Sequence, residues 1–350
     1  MLAYINGVDC ISAQLENNTL VPLEKGQVCV TAHEPLYTEF IPSGKIRRMD
    51  KLSKMGLYSS KVCMKDAGVE EVDGIVVGVG QTFSDNPAVI LEKLIDNDEG
   101  LINPGMFMNS LLSSASGQIA LELKCYGYNN TLTQRGFSFE SALLDGIMQM
   151  EIGECENILV GGLDVVTDTY LELAHEYGYV NSSGFDSGAY FSNEDNERTV
   201  GEGSGFFMLS SHPNQQSYAA LKGLKCLYLP EPGRQLTDKL AAFLQENHIV
   251  NTNIDLVLSG KGFDHLFEEP YLKTEENLFR GVPHLYFKRY CGEYPTATTF
   301  GLWMGAQILK NQALPENDPV NATVKGNIET ILLINSFAGN YFTFLLLQKP

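Results

Sequence analysis

Short apolar runs rich in β-branched residues alternate along the chain with longer stretches in which apolar residues recur every three or four positions. Runs of the first kind are typical of buried strands, and stretches of the second kind are typical of amphipathic helices. The predicted strands span residues 74–79, 157–160, 206–209, 254–258, 331–334 and 342–347. The predicted helices span residues 110–123, 139–150, 236–246 and 298–309. This alternation indicates an α/β fold with largely buried sheets.

The same series of patterns occurs twice along the chain. Four segments of the first half have counterparts in the second half, and they follow the same order. The matched pairs are 72–80 with 254–262, the helix after Gly136 with the helix after Gly292, 156–160 with 329–333, and 203–210 with 338–345. Four matches in one order indicate an internal duplication. We therefore predict two similar halves, residues 1–211 and 218–350, which form one integrated unit on either side of a polar segment.

Composition narrows the class of protein. The chain has 350 residues, of which 44% are hydrophobic, and this is typical of a globular protein that buries a large core. No apolar run approaches the roughly 20 residues that a membrane helix needs, and the N-terminus lacks the basic and apolar regions of a signal peptide. We therefore expect a cytoplasmic protein with no membrane span.

Charge and cysteine content exclude several further classes of function. The net charge is −19, so the chain lacks the clustered Lys and Arg that nucleic-acid binding requires, and it is a poor docking platform for acidic proteins. The seven cysteines are odd in number and form no Cys-x-x-Cys pair, which argues against a disulfide framework and a zinc site. We expect no metal and no cofactor.

From about residue 70 onward, a series of motifs resembles the thiolase-fold β-ketoacyl-ACP synthases of fatty-acid and polyketide synthesis. The motifs occur in the family's order and at its spacing. They are Leu101-Ile-Asn-Pro-Gly105, Tyr128-Asn-Asn-Thr-Leu-Thr133, Ile158-Leu-Val-Gly-Gly162, Gly201-Glu-Gly-Ser-Gly205 and Asn335-Ser-Phe337 followed by Gly339-Asn340. The resemblance implies a five-layer αβαβα thiolase-like fold of two pseudo-repeated halves. It also implies a dimer that pairs through the strand at residues 129–133.

The resemblance places three substitutions at the reactive positions of the family. Its nucleophile is a Cys at a helix N-terminus, and two His residues assist decarboxylation. The family's spacing places Gly136 at the Cys, Lys261 at the first His and Glu293 at the second His, while the family's Lys is kept as Lys288. The site therefore has no intact catalytic triad. Because Lys261 and Glu293 have opposite charges at positions that converge in the family, we predict that they form an ion pair.

A degenerate member of this kind resembles the chain-length factors of polyketide, aryl-polyene or flexirubin-type synthesis. Such a subunit pairs with an active β-ketoacyl-ACP synthase and shapes the acyl tunnel, and the acyl carrier protein docks on the active partner. The alternative partner is a second copy of this chain. The resemblance gives these candidate tunnel and interface residues: Met106, Phe107, Met108, Asn130, Thr131, Phe137 and Phe337. Packing in a dimer core explains Met106, Phe107 and Met108 equally well.

Two other readings stay open at this stage. In the first, the chain is an acyltransferase or ketosynthase-like enzyme with a relocated nucleophile, for which Ser138 and Cys291 are the candidates. A Ser at position 138 is also typical of the first turn of a helix, and burial is the simpler role for Cys291. In the second reading, the chain is a scaffold homodimer without acyl chemistry, in which Lys261, Glu293 and Phe337 fill the pocket.

Overall fold

The structure is a computed structural model, which describes residues 2–14, 20–24, 27–47, 49–80, 85–101, 103–176, 199–231, 233–261, 269–316, 318, 320, 324 and 326–350. The strands in this part of the chain are β1 (Ala3–Ile11), β2 (Gly74–Val79), β3 (Tyr128–Leu132), β4 (Asn157–Asp164), β5 (Gly203–Ser210), β6 (Ala219–Tyr228), β7 (Leu256–Ser259), β8 (His284–Tyr286), β9 (Thr330–Phe337) and β10 (Tyr341–Gln348). The helices are α1 (Ser43–Ile46), α2 (Lys51–Ala67), α3 (Asp85–Asp96), α4 (Pro104–Ser110), α5 (Ser113–Leu123), α6 (Ser138–Glu151), α7 (Asp168–Glu176), α8 (Gly233–Glu246), α9 (Glu269–Leu278), α10 (Lys288–Cys291) and α11 (Thr298–Asn311). Single 3-10 turns occur at Tyr37–Glu39, Arg135–Phe137 and Asn251–Asn253.

The described strands form one sheet, and its strand order repeats about the centre. The order is β3-β2-β4-β5-β1-β6-β10-β9-β7-β8. The first strand of each half lies at the centre, where β1 and β6 pair antiparallel. Outward from there, each half continues with two antiparallel pairings and then two parallel ones. The predicted α/β fold of two pseudo-repeated halves is therefore confirmed.

Equivalent aspartates begin the second strand of each half and make the same bonds. Asp73 Oδ2 accepts hydrogen bonds from the backbone amides of residues 156–157, at 2.9 and 2.8 Å. Asp255 Oδ2 accepts hydrogen bonds from those of residues 329–330, at 2.8 and 2.9 Å. Each carboxylate thus joins two parallel strands at their N-terminal ends. The boundary that we proposed near residues 211–217 lies between β5 and β6.

Helices cover both faces of the two half-sheets. Helices α2 and α5 pack on the outer face of the first half, and α8 and α9 pack on the outer face of the second. Helices α6 and α11 lie between the halves in the main core. Successive residues of β9 show the alternation, since Ile331 and Leu333 face this central core while Leu332 and Ile334 face the outer layer. Within the described residues, no helix has the length and apolar character that a membrane span requires.

Most of the predicted strands and helices are longer in the structure than the sequence patterns predicted. Strand β2 has the predicted bounds, but β4 continues to Asp164 and β9 continues to Phe337, so both extend into the predicted site. The helix predicted over residues 110–123 begins later, at Ser113, and forms α5. Ser110 is the last residue of a separate helix, α4. Ser110 Oγ donates to the Phe107 carbonyl at 2.7 Å and closes the last turn of α4, after which the chain turns before α5 begins.

Candidate functional site

The predicted nucleophile position lies in a tight turn before α6. Arg135 adopts a left-handed backbone conformation with φ of 52°, and Gly136 follows it in the 3-10 turn. Ser138 Oγ accepts a hydrogen bond from the Gln134 amide and donates one to the Arg135 carbonyl, both at 2.8 Å. These two bonds fix the turn, and Gly136 is buried inside it.

Phe337, the last residue of β9, fills the space above Gly136. A Cβ atom added to Gly136 would lie 2.5 Å from Phe337 Cβ and 2.9 Å from Phe337 Cδ1. Cβ is attached directly to the backbone, so a change of the Phe337 rotamer does not relieve the closer contact. Any side chain at position 136 therefore requires a shift of the backbone, either of β9 or of the turn that carries residue 136.

A tight turn holds Phe337 in this place. Strands β9 and β10 remain paired up to Phe337 and Tyr341, and Ala338 and Gly339 reverse the chain with φ of 50° and 69°. The Tyr341 ring packs against Phe337 and Phe137, with centroid distances of 6.3 and 5.0 Å. Two of the predicted tunnel residues, Phe137 and Phe337, are thus brought together by Tyr341, which the sequence analysis had not selected.

The retained lysine forms a buried ion pair beside this turn. Lys288 is only 2% exposed, and its Nζ lies 2.6 Å from Glu293 Oε2 and 2.5 Å from the Ser336 carbonyl oxygen. Glu293 had been predicted to pair with Lys261. The partner that the structure gives it is Lys288, five residues earlier at the start of α10. Glu293 itself follows the helix, after Gly292 with φ of 78°. Lys261 Nζ lies 5.4 Å from the centroid of the Tyr286 ring.

The backbone of Glu293 is held as firmly as its side chain. Its amide donates to the Thr199 carbonyl at 2.8 Å, and its carbonyl accepts from the Gly201 amide at 3.0 Å. Glu293 Oε1 is buried and has no hydrogen-bond partner among the described residues. An ionised carboxylate accepts hydrogen bonds and donates none, so Glu293 in this form offers no donor to a developing negative charge.

A second buried carboxylate, Glu140, joins the first half to the second. It lies in the first turn of α6 and is fully buried. Its Oε1 accepts hydrogen bonds from the hydroxyls of Thr298 on α11 and Thr343 on β10, the latter at 3.0 Å. Thr298 Oγ1 in turn accepts from Asn335 Nδ2 at 2.7 Å. The network therefore spans three elements of the second half.

Burial raises the pKa of Glu140 to about 7, although the two hydroxyl donors and the nearby charge of Lys288 act in the opposite direction. Glu140 Oε2 has no partner among the described residues. Glu140 is not among the site residues predicted from the sequence. The signal was present, because Glu140 lies three positions before Leu143 and seven before Ile147, on the apolar face of α6.

Neither candidate for a relocated nucleophile lies in an activating environment. The Ser138 hydroxyl is fully buried and uses its proton on the Arg135 carbonyl, so it has the geometry of a helix-turn residue. Cys291 is fully buried, and burial raises the pKa of its thiol well above its usual range. A thiol that stays protonated is a poor nucleophile. No group of three His, Cys, Asp or Glu in the described part of the chain is arranged to hold a metal ion.

The remaining predicted interface residues lie on the other side of the first half. Asn130 and Thr131 are part of β3 at the edge of the sheet, where Asn130 Nδ2 donates to Asp145 Oδ2 at 3.0 Å and Thr131 Oγ1 contacts Ser116 Oγ. Met106 and Phe107 are in α4, and Phe107 is exposed. The side chain of Met108 lies outside the described residues.

Comparison with protein families finds one match. Residues 30–214 match the family model described as "Beta-ketoacyl synthase, N-terminal domain", which is more than half of the chain. Comparison with curated proteins finds no match.

Comparison with solved structures finds ketosynthases along the whole chain. A β-ketoacyl synthase from Burkholderia phymatum STM815 superposes with a TM-score of 0.77 at 15% identity, with 99% of each chain covered. The ishigamide ketosynthase/chain length factor gives a TM-score of 0.75 at 14% identity, with 100% of this chain and 99% of the other covered. The ketosynthase ApeO in complex with its chain length factor ApeC, from Xenorhabdus doucetiae, gives 0.74 at 14% identity, with 99% and 98% covered. At these identities the similarity establishes the fold.

Proposed function

Because the chain belongs to the β-ketoacyl synthase family, we propose that it acts there as a non-catalytic subunit of the chain-length-factor type. In this role it pairs with an active, Cys-bearing β-ketoacyl-ACP synthase in fatty-acid, polyketide or aryl-polyene synthesis and shapes the acyl tunnel. The acyl carrier protein docks on the active partner. The structural neighbours include the ishigamide ketosynthase/chain length factor and ApeO in complex with its chain length factor ApeC, and such a pair is compatible with this role.

The observation that carries this proposal is the closed space at Gly136. A ketosynthase needs a thiolate side chain at this turn, and here the Cβ position lies 2.5 Å from Phe337 Cβ. The substitution to glycine and the position of Phe337 fit each other, so the site is filled by an ordered packing arrangement. A site that had merely lost its Cys would retain an open space for the acyl group.

The second and third reactive positions support the same conclusion. The Lys288–Glu293 pair occupies the place of the second His, and both side chains are already engaged within the fold. Lys261 has a charged ammonium in place of the neutral imidazole that would bind a thioester carbonyl. No combination of these groups supplies the nucleophile and the oxyanion donors that condensation requires.

A scaffold homodimer without acyl chemistry is the second candidate, and the filled pocket favours it as much as the first. The two differ in the partner that they require. A relocated nucleophile has less support, because the Ser138 proton is bound by the Arg135 carbonyl and Cys291 is fully buried.

The test is to express this chain alone and together with each Cys-containing ketosynthase of the same genome, and to compare the products by native and intact-protein mass spectrometry. The acyl probe is octanoyl-N-acetylcysteamine. We expect a 1:1 heterodimer with one ketosynthase, and we expect the octanoyl adduct on that ketosynthase only. The matched control is the same ketosynthase with its nucleophilic Cys replaced by Ala, which removes the adduct and keeps the heterodimer.

Two outcomes would contradict the proposal. An octanoyl adduct on this chain in the absence of a partner would identify an enzyme with a relocated nucleophile, and peptide mapping would locate it. A stable homodimer that binds none of the ketosynthases would identify a scaffold protein.

A further inference from the structure

The buried carboxyl of Glu140 belongs to a hydrogen-bond network that the proposed function does not use. Glu140 lies in the first turn of α6, four residues after Gly136, and it is fully buried. Its Oε1 accepts hydrogen bonds from the hydroxyls of Thr298 and Thr343, which both belong to the second half. Each hydroxyl has one proton and donates it to the same oxygen, so these bonds are directed toward Glu140.

The network continues from Glu140 to the end of β9. Thr298 Oγ1 accepts a hydrogen bond from Asn335 Nδ2 at 2.7 Å, and Asn335 lies two residues before Phe337 in the same strand. Phe337 packs on Gly136, in the turn that leads into α6. The contacts therefore form a closed ring, in which α6 is joined to the end of β9 and the end of β9 packs back on the turn before α6.

Two titratable groups of the second half act together with Glu140. The charge of Lys288 favours the ionised form of Glu140, but the Lys288 ammonium already bonds to Glu293 Oε2 and to the Ser336 carbonyl oxygen. The other group is the Cys226 thiol on β6, which is neutral when protonated and adds no positive charge. An ionised Glu140 therefore competes with two existing partners for Lys288.

The other elements around Glu140 have few titratable groups within the described residues. Strands β2, β5 and β9 contain none. Those of the remaining elements are engaged elsewhere or exposed: Tyr128 of β3 bonds to Asp145, Asp164 of β4 accepts from the amide of residue 296, Tyr341 of β10 packs on Phe137, Lys310 of α11 bonds to the Gln216 carbonyl, and Arg135 is exposed.

The closed network accommodates a neutral Glu140 better than an ionised one. The two hydroxyls stabilise Oε1, whereas Oε2 is buried without a partner among the described residues. An unpaired buried charge costs far more free energy than an unpaired neutral group. Ionisation therefore favours a form in which water reaches Oε2, or in which Lys288 turns from Ser336 toward Glu140. Either response removes a contact that holds the end of β9.

We propose that Glu140 is a pH-sensitive switch between the two halves, whose neutral form holds the end of β9 on the turn before α6. Ionisation of Glu140 releases this contact locally, so that Phe337 leaves Gly136 in a larger fraction of the molecules. The closed form remains the major one. The switch lies within the chain itself, so it does not depend on the partner that the chain binds.

Hydrogen exchange measured by mass spectrometry at pH 6 and pH 8 tests the switch, in peptides that cover residues 134–138 and 335–341. Burial raises the pKa of Glu140 from 4.5 to about 7 in the closed form, whereas a solvated carboxyl keeps the ordinary value. The closed form is therefore favoured most below pH 4.5, and this advantage is lost as the pH rises through 7.

Linkage between these two pKa values raises the open fraction about tenfold between pH 6 and pH 8. After correction for the chemical rate of exchange, we expect both segments of the wild type to exchange about tenfold faster at pH 8. In Glu140→Gln, which cannot ionise, we expect equal exchange at both pH values. No acceleration in the wild type, or the same acceleration in Glu140→Gln, would overturn the proposal.

Urea separates local release from unfolding of the whole chain, because global unfolding exposes far more surface. We expect exchange of the two segments to be unaffected by about 1 M urea, whereas exchange of the β2 amides should accelerate. An acceleration with pH that depends on urea as strongly as that of β2 would overturn the proposal, since it would report only global stability.

Two neighbouring threonines of α11 give a matched pair that leaves Glu140 in place. Thr298→Val removes the hydroxyl between Glu140 and Asn335, and Thr299→Val removes a hydroxyl that donates to the Thr296 carbonyl at 2.8 Å. Both threonines are fully buried. We expect Thr298→Val to reduce the acceleration to less than about threefold, and Thr299→Val to keep it near tenfold. Equal acceleration in the two variants would overturn the proposed connection through Asn335.

Discussion

The two halves of the molecule end equivalent strands with different side chains. Strand β4 ends at Asp164 and β9 ends at Phe337, each the same number of residues after the matched Glu156 and Glu329. Each of these end residues contacts the turn before the central helix of the other half. Asp164 Oδ2 accepts hydrogen bonds from the Thr296 amide and hydroxyl, at 2.8 and 2.7 Å, before α11 begins.

Phe337 makes the corresponding contact before α6, but by packing against Gly136. The equivalent position therefore contacts the turn before α11 through hydrogen bonds in one half, and it contacts the turn before α6 through an aromatic side chain in the other half. Both halves therefore make a contact at this point, and the chemistry of the contact differs between them. A glycine at position 136 is compatible with the fold because the Phe337 side chain fills the space beside it.

The connections that follow the two strands differ as well. Between β4 and β5 the chain takes a long path that includes α7, whereas β9 and β10 are joined by residues 338–340 alone. The short connection keeps Phe337 in a paired strand, as its register opposite Tyr341 shows. Paired strand residues have little freedom to move, so Phe337 remains above Gly136.

The largest expected effect on the unfolding free energy comes from a difference between the two central helices. Helix α6 carries the buried Glu140, whereas α11 carries no acidic residue. Burial raises the pKa of Glu140 from its usual 4.5 to about 7, so between these values the folded chain binds a proton that the unfolded chain releases. This contribution to stability is fully present below pH 4.5 and is lost as the pH rises through 7. Its size is about 3 kcal/mol, from the two pKa values.

Urea unfolding of the wild type and of Glu140→Gln at several pH values measures this effect. We expect the difference in unfolding free energy between the two proteins to change by about 3 kcal/mol between pH 4.5 and 8, because Gln cannot ionise. Glu276→Gln, at an exposed position on α9, is the control and should show a flat difference. A flat difference for Glu140→Gln would contradict the neutral, buried state of this carboxyl.

The next effect tests whether Phe337 closes the space at Gly136. Gly136→Ala places a Cβ 2.5 Å from Phe337 Cβ, and overpacking of this kind should cost about 2 kcal/mol of unfolding free energy. Gly44→Ala in α1 adds the same methyl group where nothing lies within 4 Å, so its unfolding free energy should stay within about 0.5 kcal/mol of the wild type. Equal stability of the two variants would mean that Phe337 does not hold position 136 closed.

The smallest expected effect on the unfolding free energy concerns a feature that the two halves share, the aspartate that precedes the second strand of each half. Asp73→Ala and Asp255→Ala each remove a carboxylate that accepts two backbone hydrogen bonds near the surface. Each should lower the unfolding free energy by about 1 kcal/mol, and the double variant should lower it by the sum, since the two sites are far apart in the fold. A large difference between the two single variants would break the equivalence of the halves at these turns.

Apolar runs located six of the ten described strands, namely β2, β4, β5, β7, β9 and β10, because a run of buried apolar residues has few alternatives. The run at 74–79 became β2 with the predicted bounds, and the internal duplication appeared as the repeated strand order of the sheet. The ends of strands were less predictable. The strand predicted over residues 331–334 extends to Phe337 as β9, because pairing with β10 continues to the tight turn. That extension is what places Phe337 above Gly136.

Contacts between side chains from distant segments were the least predictable. The charges of Lys261 and Glu293 suggested an ion pair, but Glu293 pairs with Lys288, five residues earlier at the start of α10. Glu140 was overlooked, although its place on the apolar face of α6 marked it as a buried carboxyl.

The sequence by itself determined the α/β class, the duplication, the family and the absence of a Cys at position 136. These properties follow from the local periodicity of apolar residues and from the order of motifs along the chain, and neither depends on knowing which segments meet. Only the tertiary structure decided that Phe337 closes the space at Gly136, that Lys288 holds Glu293, and that Glu140 reaches across to Thr298 and Thr343. The contacts of Phe337 and of Glu140 join residues of different halves, so their geometry exists only after the two halves have packed against each other. The Lys288–Glu293 pair forms within the second half, where the chain leaves α10 at Gly292.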